Sequence, residues 1–270
     1  VSGDAAAAAS GPAYEHLIVE RDGHVAVITF DRPDKMNAFT TQMLRDLTAI
    51  LRGFEAAGDV RACILRGSGR AFSTGADLAE MVSKTPFDVL ESNRDWITMY
   101  NAIETVPFPV IAQVHGYAIA GGTETTLACD LVVASDDAKL GLAEIKVGVI
   151  PGAGACVRLT RWVGRAQAKE ILMTGDMIPA DEARRLGLVN RVVPREELEE
   201  ATMALARQLA SRSPLAMAAA KRAVNVGGEL DIEKGIEYVL REFALLFATD
   251  DQVEGMTAFL EKREARFTGR

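Results

Sequence analysis

The stretch HGYAIAGGTETTLACDLVVAS, residues 115–135, decides how the rest of the chain is read. It overlaps the apolar run PVIAQVHG at 109–116, which reads as a strand, and it ends in DLVVAS at 130–135, a second run of that kind. Between them stand Gly121-Gly122 and residues 123–129, which carry a short apolar helical pattern. Strand, glycine turn, helix and strand in so few residues make a βαβ unit, which implies parallel strands and a right-handed crossover.

Working outward toward the N terminus, ACILRG at 62–67 reads as another short buried strand, and Gly67, Gly69 and Gly75 punctuate the loop after it. Residues 76–105 are polar and periodic, a helical pattern with a break expected at Pro86. A helix is predicted from about Thr40 to Ala57, because Leu44, Leu47, Leu51 and Phe54 recur at helical spacing and Gly58 supplies a stop. DRPDKMNAF at 31–39 is turn-like, and HLIVERDGHVAVITF at 16–30 reads as a hairpin about Asp22-Gly23. The first thirteen residues, VSGDAAAAASGPA, are expected to be a disordered tail, lacking the basic start and long apolar centre of a secretory signal.

Toward the C terminus the chain changes character after about residue 155. Helices are predicted at 166–175, 180–187, 195–212, 214–226, 231–248 and 251–265, bounded by Pro179, Gly187, Pro194 and Pro214. One strand-like piece, LVNRVVP at 188–194, interrupts them. The expectation is an α/β core over 14–200 followed by a helical C-terminal region over 201–270.

Composition narrows the function. Thirty Lys and Arg against 38 Asp and Glu leave a net charge of −8, which argues against a broad basic face for nucleic acid. No run approaches the ~18 uninterrupted apolar residues of a transmembrane helix, so no membrane partner is expected. Cys63, Cys129 and Cys156 are too few for a disulfide framework, and with His16, His24 and His115 they show no metal-ligand spacing. A reducing, cytoplasmic setting is the expectation. Several chemistries also fall away. GAGACV at 152–157 lacks the third glycine of a dinucleotide fingerprint, and GYAIAGGT at 116–123 has Gly122 where a phosphate-binding loop needs lysine. AFSTG at 71–75 begins with alanine where a serine-hydrolase elbow needs glycine, and the only histidine after Ser73 is His115.

What remains are two backbone-rich loops and two glutamates. GRAFSTGADL at 69–78 and HGYAIAGGTE at 115–124 each follow a predicted strand, and the second opens a helix whose first N–H groups favour negative charge. Side by side, such loops could aim two N–H donors at one oxygen, an oxyanion hole. The same glycines also suit ordinary tight turns. Glu124 and Glu144 stand among small and apolar residues, as partly buried carboxyls do, and burial raises a carboxyl pKa into the range of general acid–base work. The same pattern also fits the exposed face of a half-buried element.

Taken together, DRPDKMNAF (31–39), GRAFSTGADLAEM (69–81), residues 115–135, LGLAEIKVGVIPGAG (140–154), LMTGD (172–176) and FATDDQVEGMTAFLEKREARF (247–267) resemble the crotonase superfamily, most of all its enoyl-CoA hydratases. The resemblance implies a crotonase-like spiral of ββα turns followed by a helical C-terminal trimerisation region, assembled as a homotrimer or homohexamer. It implies an acyl-CoA thioester as substrate, with coenzyme A part of the substrate and no further cofactor or metal. By family position, the N–H groups of Ala76 and Gly121 would form the oxyanion hole, and Glu124 and Glu144 would be the catalytic pair. Lys35, Met36, Ala38, Thr74, Asp77 and Leu78 would line the CoA site, with Phe259 and Lys262 reaching CoA on a neighbouring subunit. Retention of both glutamates points to hydration; a Δ3,Δ2-enoyl-CoA isomerase and a 3-hydroxyacyl-CoA dehydratase are the neighbouring reactions. A non-catalytic binding subunit is the alternative of another class. Three places depart from the family pattern: Ala120 for a usual glycine, Thr123 before Glu124, and ACV at 155–157. They flank the acyl pocket or support its glutamates, so the resemblance makes them candidates for altered acyl specificity or for a shift to a related dehydratase or isomerase activity.

Overall fold

A computed structural model describes residues 14–270. The expected tail at 1–13 lies outside the described residues. The chain opens with an antiparallel hairpin, β1 (Leu17–Asp22) and β2 (Val25–Phe30), turning at Gly23 with φ 57°. The two turn residues are Gly23 and His24, one place later than the expected Asp22-Gly23, and glycine serves at the first of them because the tight turn needs left-handed backbone there. β2 is buried along its whole length. Its alternation sends Ala26, Ile28 and Phe30 into the main core and Val25 and Val27 into a second, smaller one. The neighbouring β3 (Ala62–Gly67) divides in the same way, with Cys63 and Leu65 on one face and Ala62 and Ile64 on the other. Strands covered on both faces need no polar positions, so they read as continuous apolar runs.

From β3 to β8 the strands come in consecutive pairs, one member in each of two sheets, and each pair is followed by helix. β3 and β4 (Ala71–Ser73) lead to α2 (Leu78–Met81) and α3 (Pro86–Thr105). β5 (Val110–Val114) and β6 (Tyr117–Ile119) lead to α4 (Gly121–Ala128). β7 (Leu131–Ser135) and β8 (Lys139–Gly141) lead to a 3₁₀ turn at Glu144–Val147 and then to α5 (Ala155–Thr174). With β9 (Ile178–Pro179) and β10 (Arg191–Val193), the large sheet has the order β1-β2-β3-β5-β7-β10 and the small one β4-β6-β8-β9. Apart from the pairs β1–β2 and β8–β9, all neighbours are parallel. This repeating ββα turn is the spiral that the resemblance implies.

The flanking helices close the two cores. α1 (Thr41–Ala57) packs against α3 and buries Met43, Leu44, Leu47, Ile50, Leu51 and Phe54. Thr40 caps its start by accepting from Met43 N, and Gly58 ends it in the left-handed region at φ 68°. α6 (Ala180–Arg185) precedes β10, and α7 (Leu198–Ala210) follows it. α7 covers the second face of the large sheet, setting Leu198, Leu205, Ala206 and Ala210 against Val25, Val27, Ile64, Ile111 and Val133. The expected boundary between residues 200 and 201 falls inside this helix. α8 (Pro214–Arg222) is pinned by the buried Lys221, whose Nζ donates to Asp130 Oδ2 at 2.6 Å, Ile103 O at 2.8 Å and Phe108 O at 3.1 Å. All three ammonium protons are thereby satisfied, as a buried lysine requires.

The structure corrects several expectations. Each of the two glycine-rich segments read as loops contains a short strand, β4 in one and β6 in the other. Three residues are too few for alternation to register in sequence. The break expected at Pro86 separates α2 from α3 and lies just before the proline, which opens α3 because the first helical position needs no intrahelical N–H, and Thr85 closes a capping box with Asp88. α5 begins at Ala155 rather than 166 and changes direction at Gly164, where φ is 79°. Residues 223–227 form a π-type turn before α9 (Ile232–Leu246). α10 (Asp250–Glu261) stops short of 265 because Lys262 takes a left-handed conformation. Among the described residues, no helix is long and apolar enough to cross a membrane.

Candidate active site

The site is assembled by two loops that lie along one another. Asn37, fully buried with φ 55°, donates from Nδ2 to Ser68 O and Ala71 O at 2.9 and 2.8 Å and accepts at Oδ1 from Arg32 N. Ser73 Oγ returns a bond to Asn37 O at 2.8 Å. Further along, Thr74 N donates to Met36 O, Phe39 N to Gly75 O, and Asp77 N to Phe39 O. Arg32 Nη1 reaches Asp77 Oδ2 at 2.8 Å, while Asp77 Oδ1 caps α2 at Ala79 N. The Arg32 guanidinium holds the Asp77 carboxyl below the usual aspartate range. Six residues assigned to the CoA site, Lys35, Met36, Ala38, Thr74, Asp77 and Leu78, are thus brought to one edge. Lys35 and Leu78 are exposed there and Ala38 is buried.

The same pairing aims the Ala76 N–H. In the bridge between Phe39 and Ala76, Phe39 uses Gly75 O and Asp77 N, so the amide of the intervening Ala76 faces the other way. Across from it, Gly121 opens α4. The two loops touch: a Cβ built on Gly75 would lie 2.6 Å from the Gly121 nitrogen. Among the described residues neither the Ala76 nor the Gly121 N–H has an acceptor within the chain. The glycines of α4 are dictated by contact, since a Cβ on Gly121 would meet the Trp96 ring at 2.7 Å and one on Gly122 would meet Ser73 O at 2.2 Å. Ala120 is held at φ 52°, ψ −122°, a conformation strained for any residue with a Cβ, and its N–H donates to Gly141 O at 2.7 Å. Thr123 braces the small sheet. Its hydroxyl donates to Ala118 O at 2.6 Å and accepts from Gly141 N at 3.0 Å, tying β6 to β8.

Glu124 lies in α4, whose residues are all buried. Its Oε1 accepts from Ala155 N at 2.9 Å and Ala153 N at 3.3 Å. Burial raises its pKa, opposed by those two amides and by the charge of Arg158. Glu144 begins the 3₁₀ turn after β8, and its Oε2 is buried without a hydrogen-bond partner. Burial, reinforced by the charge of Glu124, pushes the Glu144 pKa up to about 7. The two carboxyls therefore sense one another yet stand in different surroundings. One oxygen of Glu124 is fixed by two amides that oppose the effect of burial, whereas Glu144 is desolvated and largely uncompensated.

Phe259 and Lys262 are set apart from this cluster. Phe259 is exposed on α10 and Lys262 ends that helix, and no hydrogen bond or ion pair among the described residues links them to 31–39 or 74–78. Sequence reading misses α3 altogether as a site element. Its residues Asn93, Trp96, Tyr100 and Glu104 follow helical spacing and so share a face. Tyr100 Oη donates to Gly121 O at 3.0 Å, and Trp96 packs on Gly121. That stripe is visible as spacing, but nothing in the sequence says what it faces.

The family model described as enoyl-CoA hydratase/isomerase matches residues 20–270. The chain belongs to that family. Among its members, a probable enoyl-CoA hydratase from Rhizobium meliloti (strain 1021) is 43% identical over 257 residues, 95% of this chain and 99% of that one. A crotonyl-CoA hydratase from Syntrophomonas wolfei is 40% identical over 256 residues, covering 94% and 98%. The crystal structure of an enoyl-CoA hydratase from Bacillus anthracis matches at a TM-score of 0.92 with 36% identity, over 95% of this chain and 100% of that one. The spiral of ββα turns and the C-terminal helices are thus the fold of this family.

Proposed function

We propose that this chain is an enoyl-CoA hydratase that adds water reversibly across the 2,3 double bond of an enoyl-CoA thioester. The observation that carries the reading is the placement of a buried glutamate held by two amides and a half-buried one with an unpartnered oxygen beside two unpartnered backbone N–H groups. A thioester carbonyl accepting from Ala76 N and Gly121 N is polarised, and electrons are drawn from the double bond. Enolate-like charge then develops on an oxygen already facing two donors and a helix N-terminus. Glu124, held by two amides and close to Arg158, is suited to take a proton from water as it attacks Cβ. Glu144, protonated up to about pH 7, is suited to deliver one to Cα. Hydration is redox-neutral, so no cofactor is proposed, and coenzyme A enters as part of the substrate. Exposed Lys35 supplies positive charge for the CoA phosphates on a chain whose overall balance is −8. The deciding experiment follows the enoyl-thioester absorbance of crotonyl-CoA and longer 2-enoyl-CoAs. Loss of absorbance with formation of the 3-hydroxyacyl product is expected. Release of free thiol, or conversion of 3-enoyl-CoA alone, would overturn the reading.

We further infer that the protomer assembles as a trimer or hexamer. Ile232, Ile236, Leu240 and Phe243 on α9, with Val224 and Leu230 before it, line an exposed apolar groove. A contiguous face of this kind on a single chain favours a protein partner. Phe259 and Lys262 would then approach a neighbour's CoA. Light scattering is expected to return at least three protomer masses, and a monomer would remove both inferences. The three unbridged cysteines, Cys63, Cys129 and Cys156, support the proposed cytoplasmic setting.

A further inference from the structure

The segment that presents the Ala153 and Ala155 amides to Glu124 is itself gripped from two directions. Arg158, one turn into α5, donates from Nη1 to Ala153 O at 3.1 Å. Its Nε and Nη2 form a fork on Glu104 Oε1 and Oε2 at 2.6 and 2.8 Å, and both side chains are partly buried. Asn93 Nδ2 donates to the preceding carbonyl, Gly152 O, at 3.2 Å. Gly154 makes room for the guanidinium: a Cβ there would lie 2.3 Å from Arg158 Nη1, and its φ of 117° suits glycine alone. Asn93 and Glu104 sit on the same stripe of α3 whose Trp96 and Tyr100 bear on Gly121. One helix face therefore fixes both the oxyanion residue and the amides that hold Glu124.

We propose that Arg158 is a positioning residue: its guanidinium, oriented by Glu104, holds the segment whose amides fix Glu124 Oε1 and sets a positive charge against that carboxylate. The groups facing Glu124 are Arg158 and Cys156 from α5, Tyr100 from α3 and Glu144 from the 3₁₀ turn. Burial pushes the Tyr100 hydroxyl well above its ordinary value and raises the Cys156 thiol, so both are neutral. Of these groups Arg158 alone is cationic, and it opposes the effect of burial on Glu124. Without it the Glu124 carboxyl is protonated at higher pH, so the acidic limb of kcat/KM moves upward.

This inference rests on the hydratase reading, so the test has a readout apart from turnover. The Glu124 carboxyl band is titrated by infrared spectroscopy and assigned by its loss in Glu124→Gln. Arg158→Met combined with Glu104→Met removes the charged pair together and leaves no unpaired charge in its place. The expected result is a rise of at least about half a pH unit in the Glu124 midpoint, the same displacement of the acidic limb, and kcat lower by about tenfold. Arg158→Lys, which keeps the charge but not the fork, is expected to restore most of the midpoint and little of kcat. If the double variant does not fold, Arg158→Lys decides alone: full wild-type kcat there overturns the proposal. An unmoved midpoint in the folded double variant also overturns it. A midpoint that shifts on substitution in a protein that does not hydrate enoyl-CoA overturns the hydratase reading and leaves the positioning role standing.

Discussion

Glu144→Gln is expected to lower kcat for crotonyl-CoA hydration by at least about 10², and Glu124→Gln to do the same. Each substitution keeps the size of the side chain and removes its capacity to carry a proton. The carboxyl of Glu144 is the more exposed to loss of function because its buried Oε2 has no hydrogen-bond partner, so proton transfer is the role its surroundings leave it. The double variant is expected to be hardly slower than either single one, since groups that act as a unit are not additive. The pH profile carries the sign of the assignment. In the proposed mechanism Glu144, raised to about 7, acts in its protonated form, so kcat is expected to hold below that pH and to fall as pH rises through it. Glu124 acts ionised in that mechanism, so kcat/KM is expected to fall on the acidic side. Steady-state rates measured across the neutral range check both limbs, and the two apparent values belong to the pair. A hydration rate in Glu144→Gln equal to that of the wild-type protein would remove Glu144 from the mechanism.

The legible part of this protein lies in its long, regular elements. α1 is written in Leu44, Leu47, Leu51 and Phe54, and the buried strands β2, β3 and β5 in apolar runs broken only at Thr29, Arg66 and Gln113, because burial on one face or two imposes those periods. Glu124 and Glu144 are legible as candidates because small and apolar neighbours mark partial burial. The opposed surroundings of the two carboxyls are not legible. The amides on Glu124 come from Ala153 and Ala155, and Arg158 is carried by a helix expected to start later. Such partners meet only in three dimensions, and a backbone N–H carries no signature of its own in sequence. The small sheet escapes for a related reason: β4, β6 and β8 are three residues each, and what fixes them is mutual pairing. Thr123 shows the limit most plainly. As a departure from the family pattern it suggests altered specificity, whereas its hydroxyl ties two strands of that sheet together.

Gly75→Ala is expected to lower kcat by about 10² to 10³ while leaving the protein folded, the loss typical of one oxyanion donor. Gly75 has φ 84°, and an added Cβ would lie 2.6 Å from the Gly121 nitrogen and 3.1 Å from the Ala120 Cβ and the Ile119 carbonyl oxygen. The first of these neighbours is the donor atom itself. Relief of the contact moves the Gly121 N–H away from the Ala76 loop, and the two donors no longer converge on one oxygen. Some loss of stability accompanies any alanine forced to positive φ, on the order of 1 kcal/mol. Gly58→Ala separates that cost from the catalytic one. Gly58 ends α1 with φ 68°, and a Cβ there meets nothing within 4 Å. The two variants thus share the backbone strain and differ in the clash. Thermal unfolding is expected to show the shared strain in Gly58→Ala and a larger destabilisation in Gly75→Ala, and crotonyl-CoA kinetics to show a large fall in kcat for Gly75→Ala alone. Equal kcat in the two variants would mean that the approach of the two loops does not shape the oxyanion site. A fall in both would mean that the loss comes from stability and not from the alignment of the Ala76 and Gly121 amides.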